Sequence, residues 1–395
     1  MRPAEGTHLF FLDNVGVLFD ERSQKIFQLN TTAAFIWCQL EDGADLASID
    51  RALQQTFAMS TEEARACRAQ TEGLLRSAGV LRGSEAPAPA ATSAPDSPAV
   101  RVADALFVAQ ARYRLLSAEF RLRFTSDAQL RKVAPVLAHL QVADSGQDAL
   151  HIDIVEDGTG GLAIHEDCRP VLGCRNLYEL APLIKGLIWQ CAITRHDFFL
   201  DIHAGVVGDG ERCVLFPAAP GSGKSTLTTA LAHHGFEYFS DEVALLHLPD
   251  LQVEAVPLAT CVKDSGVGAL ARFYPALADT ESHLRGDGKR VRYVAPPAAA
   301  LPPAGTRRPV GAIVFPRYTP GDPGQLERLS PNEALTALMA ECLIVATRLD
   351  AAKVRQLLQW ISATPCYRLP VCDLDVAVEA VRALSSGRNA SSAAA

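Results

Sequence analysis

The stretch Phe216-Pro-Ala-Ala-Pro-Gly-Ser-Gly-Lys-Ser-Thr226 constrains the fold of this chain more than any other. The apolar run Arg212-Cys-Val-Leu-Phe216 before it reads as a buried strand, and Leu227-Thr-Thr-Ala-Leu-Ala-His-His234 after it reads as a helix ended by Gly235. Strand, glycine-rich loop and helix, in that order, are the setting a phosphate-binding loop requires. Backbone N–H groups from Gly221 to Ser225 can turn inward around a phosphate, aided by the positive end of the helix dipole. On this reading Pro220, Gly221, Ser222, Gly223, Lys224, Ser225 and Thr226 hold a nucleoside triphosphate such as ATP. Lys224 reaches the β- and γ-phosphates and the Ser225 hydroxyl ligates Mg²⁺. The pattern G-x-x-x-x-G-K-[ST] is broken only at its first position, where Ala218 replaces glycine. That position shapes the approach to the loop and not the cradle.

A chain of 395 residues suggests two or three domains. Its apolar share of 48% and charged share of 21% are those of a soluble globular protein. A net charge of −8 argues against a general binder of nucleic acid or of anionic membranes. The start, Met1-Arg-Pro-Ala-Glu-Gly, lacks the apolar core of a signal peptide, and no run approaches a membrane span, so a cytoplasmic location is expected. Ten scattered cysteines favour reduced thiols over disulfides. His165, Cys168 and Cys174 cluster loosely but lack a fourth ligand at metal-site spacing.

At the N-terminal end, His8–Asn14, Val15–Phe19 and Lys25–Asn30 read as three short strands separated by turns at Asp13-Asn14 and Asp20-Glu21-Arg22. A helical stripe of Ala34, Ile36, Trp37 and Leu40 follows and stops before Asp42-Gly43. Asp45 caps a second helix to about Phe57, and Ser60-Thr-Glu-Glu63 is a capping box for a third that ends at Gly79. Three strands and three helices make a small winged-helix-like unit.

Within it, Phe27-Gln-Leu-Asn-Thr-Thr-Ala-Ala-Phe-Ile-Trp37, with Asp42-Gly43 and the closing Gly79-Val-Leu81, resembles the PqqD-like family. That family comprises recognition elements for leader peptides of ribosomally made, post-translationally modified peptides. The resemblance covers residues 8–82. It implies that a precursor's leader adds as a strand beside Lys25, Ile26, Phe27, Gln28 and Leu29, against the helix bearing Arg65, Arg68 and Arg76. The residues themselves also allow a winged-helix DNA binder or an inert dimerisation module. Mixed charge on the third helix and the acidic chain weigh against DNA.

Residues 83–99, rich in Ala, Pro and Ser, read as a semi-extended linker reaching up to about 50 Å. Residues 100–384 mix strands and helices as an α/β domain, and residues 385–395 read as a small-residue tail. In that domain Ala149–Val155 and Gly161–His165 pair as strands and Leu177–Arg195 is a helix. Phe198–Val207 is a strand placing Asp201, His203 and Gly205 on one face. Phe236–Ser240 is a strand of a parallel sheet ending in Asp241-Glu242, at the crevice where ligands sit. Arg290–Val294 and Val310–Phe315 read as strands; Pro331–Leu343, Ala351–Ile361 and Asp373–Val381 read as helices.

His203-Ala-Gly-Val-Val, then Pro220-Gly-Ser-Gly-Lys-Ser-Thr226, then Ser240-Asp-Glu242 resembles the HPr kinase/phosphorylase superfamily, in particular its HPr-kinase-related branch. The resemblance runs from about residue 100 to 384 and is sharpest over 198–246. It implies a P-loop fold related to phosphoenolpyruvate carboxykinases, transfer of a phosphoryl group to a serine hydroxyl, and a homo-oligomer. It makes Asp241 the base, Glu242 its acidic neighbour and His203 the histidine ahead of the loop. The chemistry of the residues leaves Asp241 open as a metal ligand beside Ser225, with Glu242 or no residue as base, and His203 open as a structural histidine. Lys263, the Lys289/Arg290/Arg292 run and Arg317-Tyr318 are further candidates near phosphate or peptide, with plain surface charge the alternative for the run. The N-terminal domain of the enzymes that phosphorylate HPr itself is replaced here by the PqqD-like unit, and their C-terminal signature is not recognisable, which argues against HPr as the substrate. The expectation is therefore a peptide serine/threonine kinase using ATP and Mg²⁺ on a leader-bound precursor. Its rivals are a nucleotide-gated adaptor and a kinase of another protein or a small-molecule hydroxyl.

Overall fold

The structure is a computed structural model of the chain and describes residues 2–13, 15–82, 102–144, 148–322 and 324–386. The linker expected at 83–99 and the tail beyond residue 386 lie outside the described residues.

The chain opens with strands β1 (Thr7–Leu12), β2 (Val15–Asp20) and β3 (Lys25–Leu29), then helices α1 (Thr31–Glu41), α2 (Leu46–Phe57) and α3 (Thr61–Ser77). Next come β4 (Ala109–Leu115), β5 (Ala118–Phe124), α4 (Asp127–Leu137), β6 (Leu150–Glu156), β7 (Leu162–Glu166), β8 (Arg169–Cys174) and α5 (Leu177–Ile193). The phosphate-loop region holds β9 (Leu200–Ile202), β10 (Ala204–Gly208), β11 (Cys213–Pro217), α6 (Lys224–His233), β12 (Glu237–Ser240), β13 (Ala244–His247) and β14 (Gln252–Glu254). After it run β15 (Thr260–Lys263), α7 (Asp264–Leu270), β16 (His283–Leu284), β17 (Arg290–Val294), β18 (Arg307–Arg308) and β19 (Val310–Tyr318). The described chain closes with β20 (Glu327–Arg328), α8 (Pro331–Glu341), β21 (Cys342–Val345), α9 (Ala351–Ala363), β22 (Cys366–Val371) and α10 (Leu374–Ser385).

Two compact units result: residues 1–93 with 329–336 and 347–363, and the remainder. In the first, β1, β2 and β3 form an antiparallel sheet in sequence order. Leu18 and Leu29 face the helices, in one core with Ile36, the fully buried Trp37, Ile49, Leu53 and Leu75. The third helix starts where the sequence says it should: Ser60 Oγ accepts from Glu63 N, and Glu63 returns the bond to Ser60 N at 2.8 Å. A cap of this kind stabilises by about 1 kcal/mol.

Val17 and Phe19 alternate with Leu18 and so point to the opposite face, yet both are fully buried. That face is covered by a helix from the other end of the chain. α9 packs on β1 and turns an i, i+3, i+4, i+7 stripe inward: Val354, Leu357, Leu358 and Ile361. Its start is tied to the β2–β3 turn, where Glu21 Oε1 accepts from Ala351 N at 3.1 Å and Gln24 Oε1 accepts from Leu349 N at 2.7 Å. The three-stranded sheet is thus sandwiched, and residues 347–363, read from sequence with the 100–384 domain, complete the first unit.

The second unit holds the glycine-rich loop between β11 and α6. Its principal sheet has the order β12-β10-β11-β19-β22-β20. The expected parallel sheet is in fact mixed: β10 is antiparallel to both β11 and β12, while β19 and β22 run parallel to β11. Hence β11 and β12 point the same way and their C-terminal ends lie at one edge, where β10 begins. Register fixes this edge, with Ala204 opposite Pro217 and Val206 opposite Ser240.

The single strand expected over Phe198–Val207 is also corrected. It breaks at His203: β9 belongs to a second sheet, ordered β18-β14-β13-β9-β21, and β10 to the first. Asp201 and Gly205 therefore do not share a strand face. The helix expected over Pro331–Leu343 ends at Glu341, because the chain there becomes β21 and pairs with β9. A third sheet, β4-β5-β6-β7-β8, packs against α4 and α5 around Phe120, Leu122, Ile152 and Ile188. Its parallel pair β5–β6 is joined through α4, as a crossover between parallel strands requires.

Candidate active site

Four sequence-predicted groups meet at the edge just described: the loop after β11, Lys224 and Ser225 on the first turn of α6, His203 ahead of β10, and Asp241-Glu242 after β12. The loop makes its turns at Gly221 and Gly223, with φ of +95° and +93°, in the left-handed region that a side chain would strain. Pro220 and Gly221 are exposed while Lys224 is buried, so the loop opens to solvent and its lysine is drawn inward. Lys224 Nζ donates to Ala218 O at 3.3 Å and to His203 O at 3.5 Å. Burial lowers its pKa to about 8, against the opposing pull of Asp241, Glu242 and Glu341.

Gly205 makes this placement possible. A Cβ there would run into Thr228 Oγ1 and stand 3.2 Å from Lys224 Cγ. The first turn of α6 is further held by Thr228 Oγ1 donating to Lys224 O at 2.9 Å and Thr229 Oγ1 donating to Ser225 O at 2.7 Å.

The two acids differ sharply. Asp241 is 2% exposed. Its Oδ1 lies 3.1 Å from Tyr238 Oη, which also contacts Leu258 O and Thr260 Oγ1 at 2.8 and 3.0 Å. The Ser225 side chain lies near the same carboxylate. Burial raises the Asp241 pKa, and nearby Lys185 and the Ser225 side chain oppose the rise. Glu242 has half its side chain exposed and takes the Lys185 ammonium at 3.2 Å, which holds it below the usual carboxylate range. Lys185 is itself buried. Burial works against its charge, but Glu242 and Asp241 keep it above the ordinary lysine value.

His203 Nδ1 stands 3.5 Å from Glu341 Oε2, and its backbone N–H donates to Glu341 O at 2.8 Å. Burial and then the Lys224 charge lower its pKa, with Glu341 opposing. The imidazole is a neutral group at neutral pH, tethered at the edge of the site. Asp201 is 1% exposed, and its Oδ1 has no hydrogen-bond partner among the described residues. Burial, then Glu242, push its pKa up to about 7.

Sequence reasoning missed Lys185, Tyr238 and Thr260 as parts of this network. Lys185 carried a signal: it is a lone charge in the apolar run Leu183-Ile-Lys-Gly-Leu-Ile188. Lys263 contributes charge near Lys224. Lys289 and Arg292 are bound to Asp287 and Asp264 at 3.0 and 2.7 Å, as local surface pairs. Arg317 and Tyr318 are exposed at the end of β19. The cysteines described are free thiols. Among the described residues the donors that converge as in a metal site are His196, His247 and Glu254, not His165, Cys168 and Cys174. Arg307 already holds that glutamate at 2.7 Å.

In the first unit, β3 has β2 on one side and no strand on the other among the described residues. Lys25 and Gln28 are exposed, Ile26 and Phe27 half-buried and Leu29 buried. Gln28 Nε2 donates to Asn332 Oδ1 at 3.1 Å and Thr336 Oγ1 at 2.9 Å. Arg68 is locked to Asp50 at 2.6 Å and contacts Glu72, whereas Arg65 is largely exposed with Asp50 4.0 Å away.

Residues 16–78, from β2 to the end of α3, match the family described as Coenzyme PQQ synthesis protein D (PqqD). This part of the chain is a PqqD-like domain. The solved structure described as "TbiB1 in Complex with the TbiA(beta) Leader Peptide" is similar at 19% identity, over 22% of this chain and 100% of that chain, with a TM-score of 0.21. No curated protein matches the chain. No helix among the described residues is long and apolar enough to cross a membrane.

Proposed function

We propose that the protein is a peptide kinase that uses ATP and Mg²⁺ to phosphorylate a serine or threonine hydroxyl of a ribosomally made precursor, whose leader the PqqD-like domain holds. The observation that carries the kinase half is the shared sheet edge at which strand register sets the first turn of α6, with Lys224 and Ser225, beside Asp241 at the mouth of a glycine-rich loop. It brings two hard oxygen donors together beside a buried lysine, a donor set suited to Mg²⁺ between phosphates. Residues 221–225 and Lys224 would hold the phosphates, and Ser225 with Asp241 the metal, which when bound neutralises charge on the transferred group.

Asp241, buried against Ser225, is the metal-side carboxylate. Glu242 opens to solvent and is kept anionic by Lys185, so it faces an arriving hydroxyl. In the step, the hydroxyl oxygen bonds to the γ-phosphorus, the bond to the β–γ bridging oxygen breaks, and the hydroxyl proton passes to Glu242. The leader would add to the unpaired side of β3, where main-chain pairing tolerates sequence and side-chain pockets select it.

Transfer of label from γ-labelled ATP to precursor peptides encoded beside this protein tests the reading. Wild type should label the peptide, and Lys224→Ala should not while still binding it. Nucleotide-dependent changes in peptide affinity with no label incorporated would replace the kinase with a nucleotide-gated adaptor.

A further inference from the structure

The second unit contains a cavity of about 740 Å³ that the kinase reading leaves unused. It is framed by the β6–β7 turn, the start of α5 and the turn between β16 and β17. Its wall is poor in side chains, with Gly160, Gly161, Gly173, Gly286 and Gly288 lining it, so an extended peptide backbone can approach closely.

The charges on that wall are unequally engaged. Asp157 Oδ1 accepts from Thr159 N at 2.8 Å and Gly161 N at 3.0 Å, closing its own turn. Glu179 Oε2 accepts from Arg175 N at 3.0 Å, as part of the cap of α5. Both acids are engaged within their own turns, by backbone N–H groups and by the Thr159 and Asn176 side chains. The arginines are not: the Arg175 guanidinium is exposed with no partner among the described residues, and Arg285 has only Asp287 at 3.5 Å and Cys261 Sγ at 3.9 Å. The unpaired Arg175 guanidinium, with the Arg285 donors not turned to Asp287, gives an anionic guest planar partners that the wall does not itself use.

The cavity also adjoins the reacting centre. Arg285 acts electrostatically on Glu242, and α5, which lends Glu179 and Leu183 to the wall, carries Lys185 to the same glutamate. We infer that this cleft seats the part of the acceptor peptide flanking the reacting hydroxyl and selects Asp or Glu there through Arg175 and Arg285. The word acceptor rests on the kinase reading.

The test is fluorescence anisotropy on the full chain with a non-hydrolysable ATP analogue, using two labelled leaderless serine peptides that differ only in an Asp/Glu-rich or Lys-rich flank. The acidic peptide should bind about tenfold tighter or better, with the margin shrinking as salt is added. Arg175→Glu and Arg285→Glu, each checked for native circular dichroism, should abolish or reverse the preference. Equal affinity for both peptides, or a preference untouched by both reversals, overturns the inference. Label transfer without flank preference would do the same and leave the kinase standing. Acidic preference without transfer to any peptide would uphold the cleft and defeat the kinase.

Discussion

Ser225, on the first turn of α6, lies near the buried carboxylate of Asp241, which follows β12, and its side chain opposes the rise in pKa that burial imposes on that acid. The two strands feeding these residues point the same way although β10 lies antiparallel between them. A mixed sheet thereby brings a glycine-rich loop and an acid to one edge, and the proposed chemistry of the second unit depends on that pairing.

Asp241→Asn keeps the volume and the contact with Tyr238 but removes the charge that would hold a divalent ion. Titration calorimetry with ATP should show affinity lowered about tenfold or more in the presence of Mg²⁺ and little changed in EDTA. Glu242→Gln should leave both affinities near wild type while turnover falls by roughly two orders of magnitude or more. Reversed results would exchange the roles of the two acids.

Lys224 gives binding a pH limit. Its pKa is lowered to about 8, so its charge is complete below that value and fades as pH rises through it. Phosphate attraction follows the charge. ATP affinity should therefore be flat from pH 6 to about 7.5 and fall above about 8, with Lys224→Ala showing no such fall. Bound polyphosphate should itself raise the lysine pKa, displacing the observed midpoint upward.

Asp201 is a stability liability with a definite sign. Its folded pKa, about 7, lies above the ordinary 3.8, so folding favours its protonated form. The advantage is whole below pH 4 and is lost as pH rises through 7. Asp201→Asn should thus raise the melting temperature at pH 8, by the equivalent of up to roughly 4 kcal/mol, and leave it nearly unchanged at pH 4.

Gly205→Ala should be severe for a single methyl group. The new Cβ meets Thr228 Oγ1 and crowds the Lys224 stem, so the first turn of α6 must move. Overpacking of this kind costs about 1–3 kcal/mol. A large loss of ATP affinity with a modest loss of stability is the expected outcome, read by calorimetry and thermal melts.

The covered face of the N-terminal sheet makes a prediction about boundaries. Residues 1–82 alone would bare Val17 and Phe19, which are fully buried in the intact chain. That fragment should bind an apolar dye and melt without a sharp transition. Leu357→Ala in the full chain should destabilise the first unit by about 2–5 kcal/mol, seen as early amide exchange in β1 and β2.

Much of this was legible in the chain. Turn residues and period-two alternation marked β1 to β3, and the Ser60–Glu63 box set the start of α3. The glycine-rich turn ahead of α6 was legible because Gly221 and Gly223 are needed there for backbone geometry. The sandwich over β2 was not read, although the unbroken apolar run Val17-Leu-Phe19 was its trace: a strand apolar on both faces is covered on both. The break at His203 was invisible because strand periodicity continues through it; only the pairing of β9 with β13 and β21 in another sheet creates it. Lys185 stood out only as a lone charge in an apolar helix, and its partner could not be read because Glu242 is far away in sequence.

The most direct measurement is the mass of an adjacent-gene precursor peptide after incubation with the full chain, ATP and Mg²⁺, with the leader attached or cut away. The account predicts one added phosphoryl group on the intact precursor, transfer slowed about tenfold or more without the leader at low peptide concentration, and none with Lys224→Ala. An intact precursor that binds the protein yet returns at its original mass would contradict it.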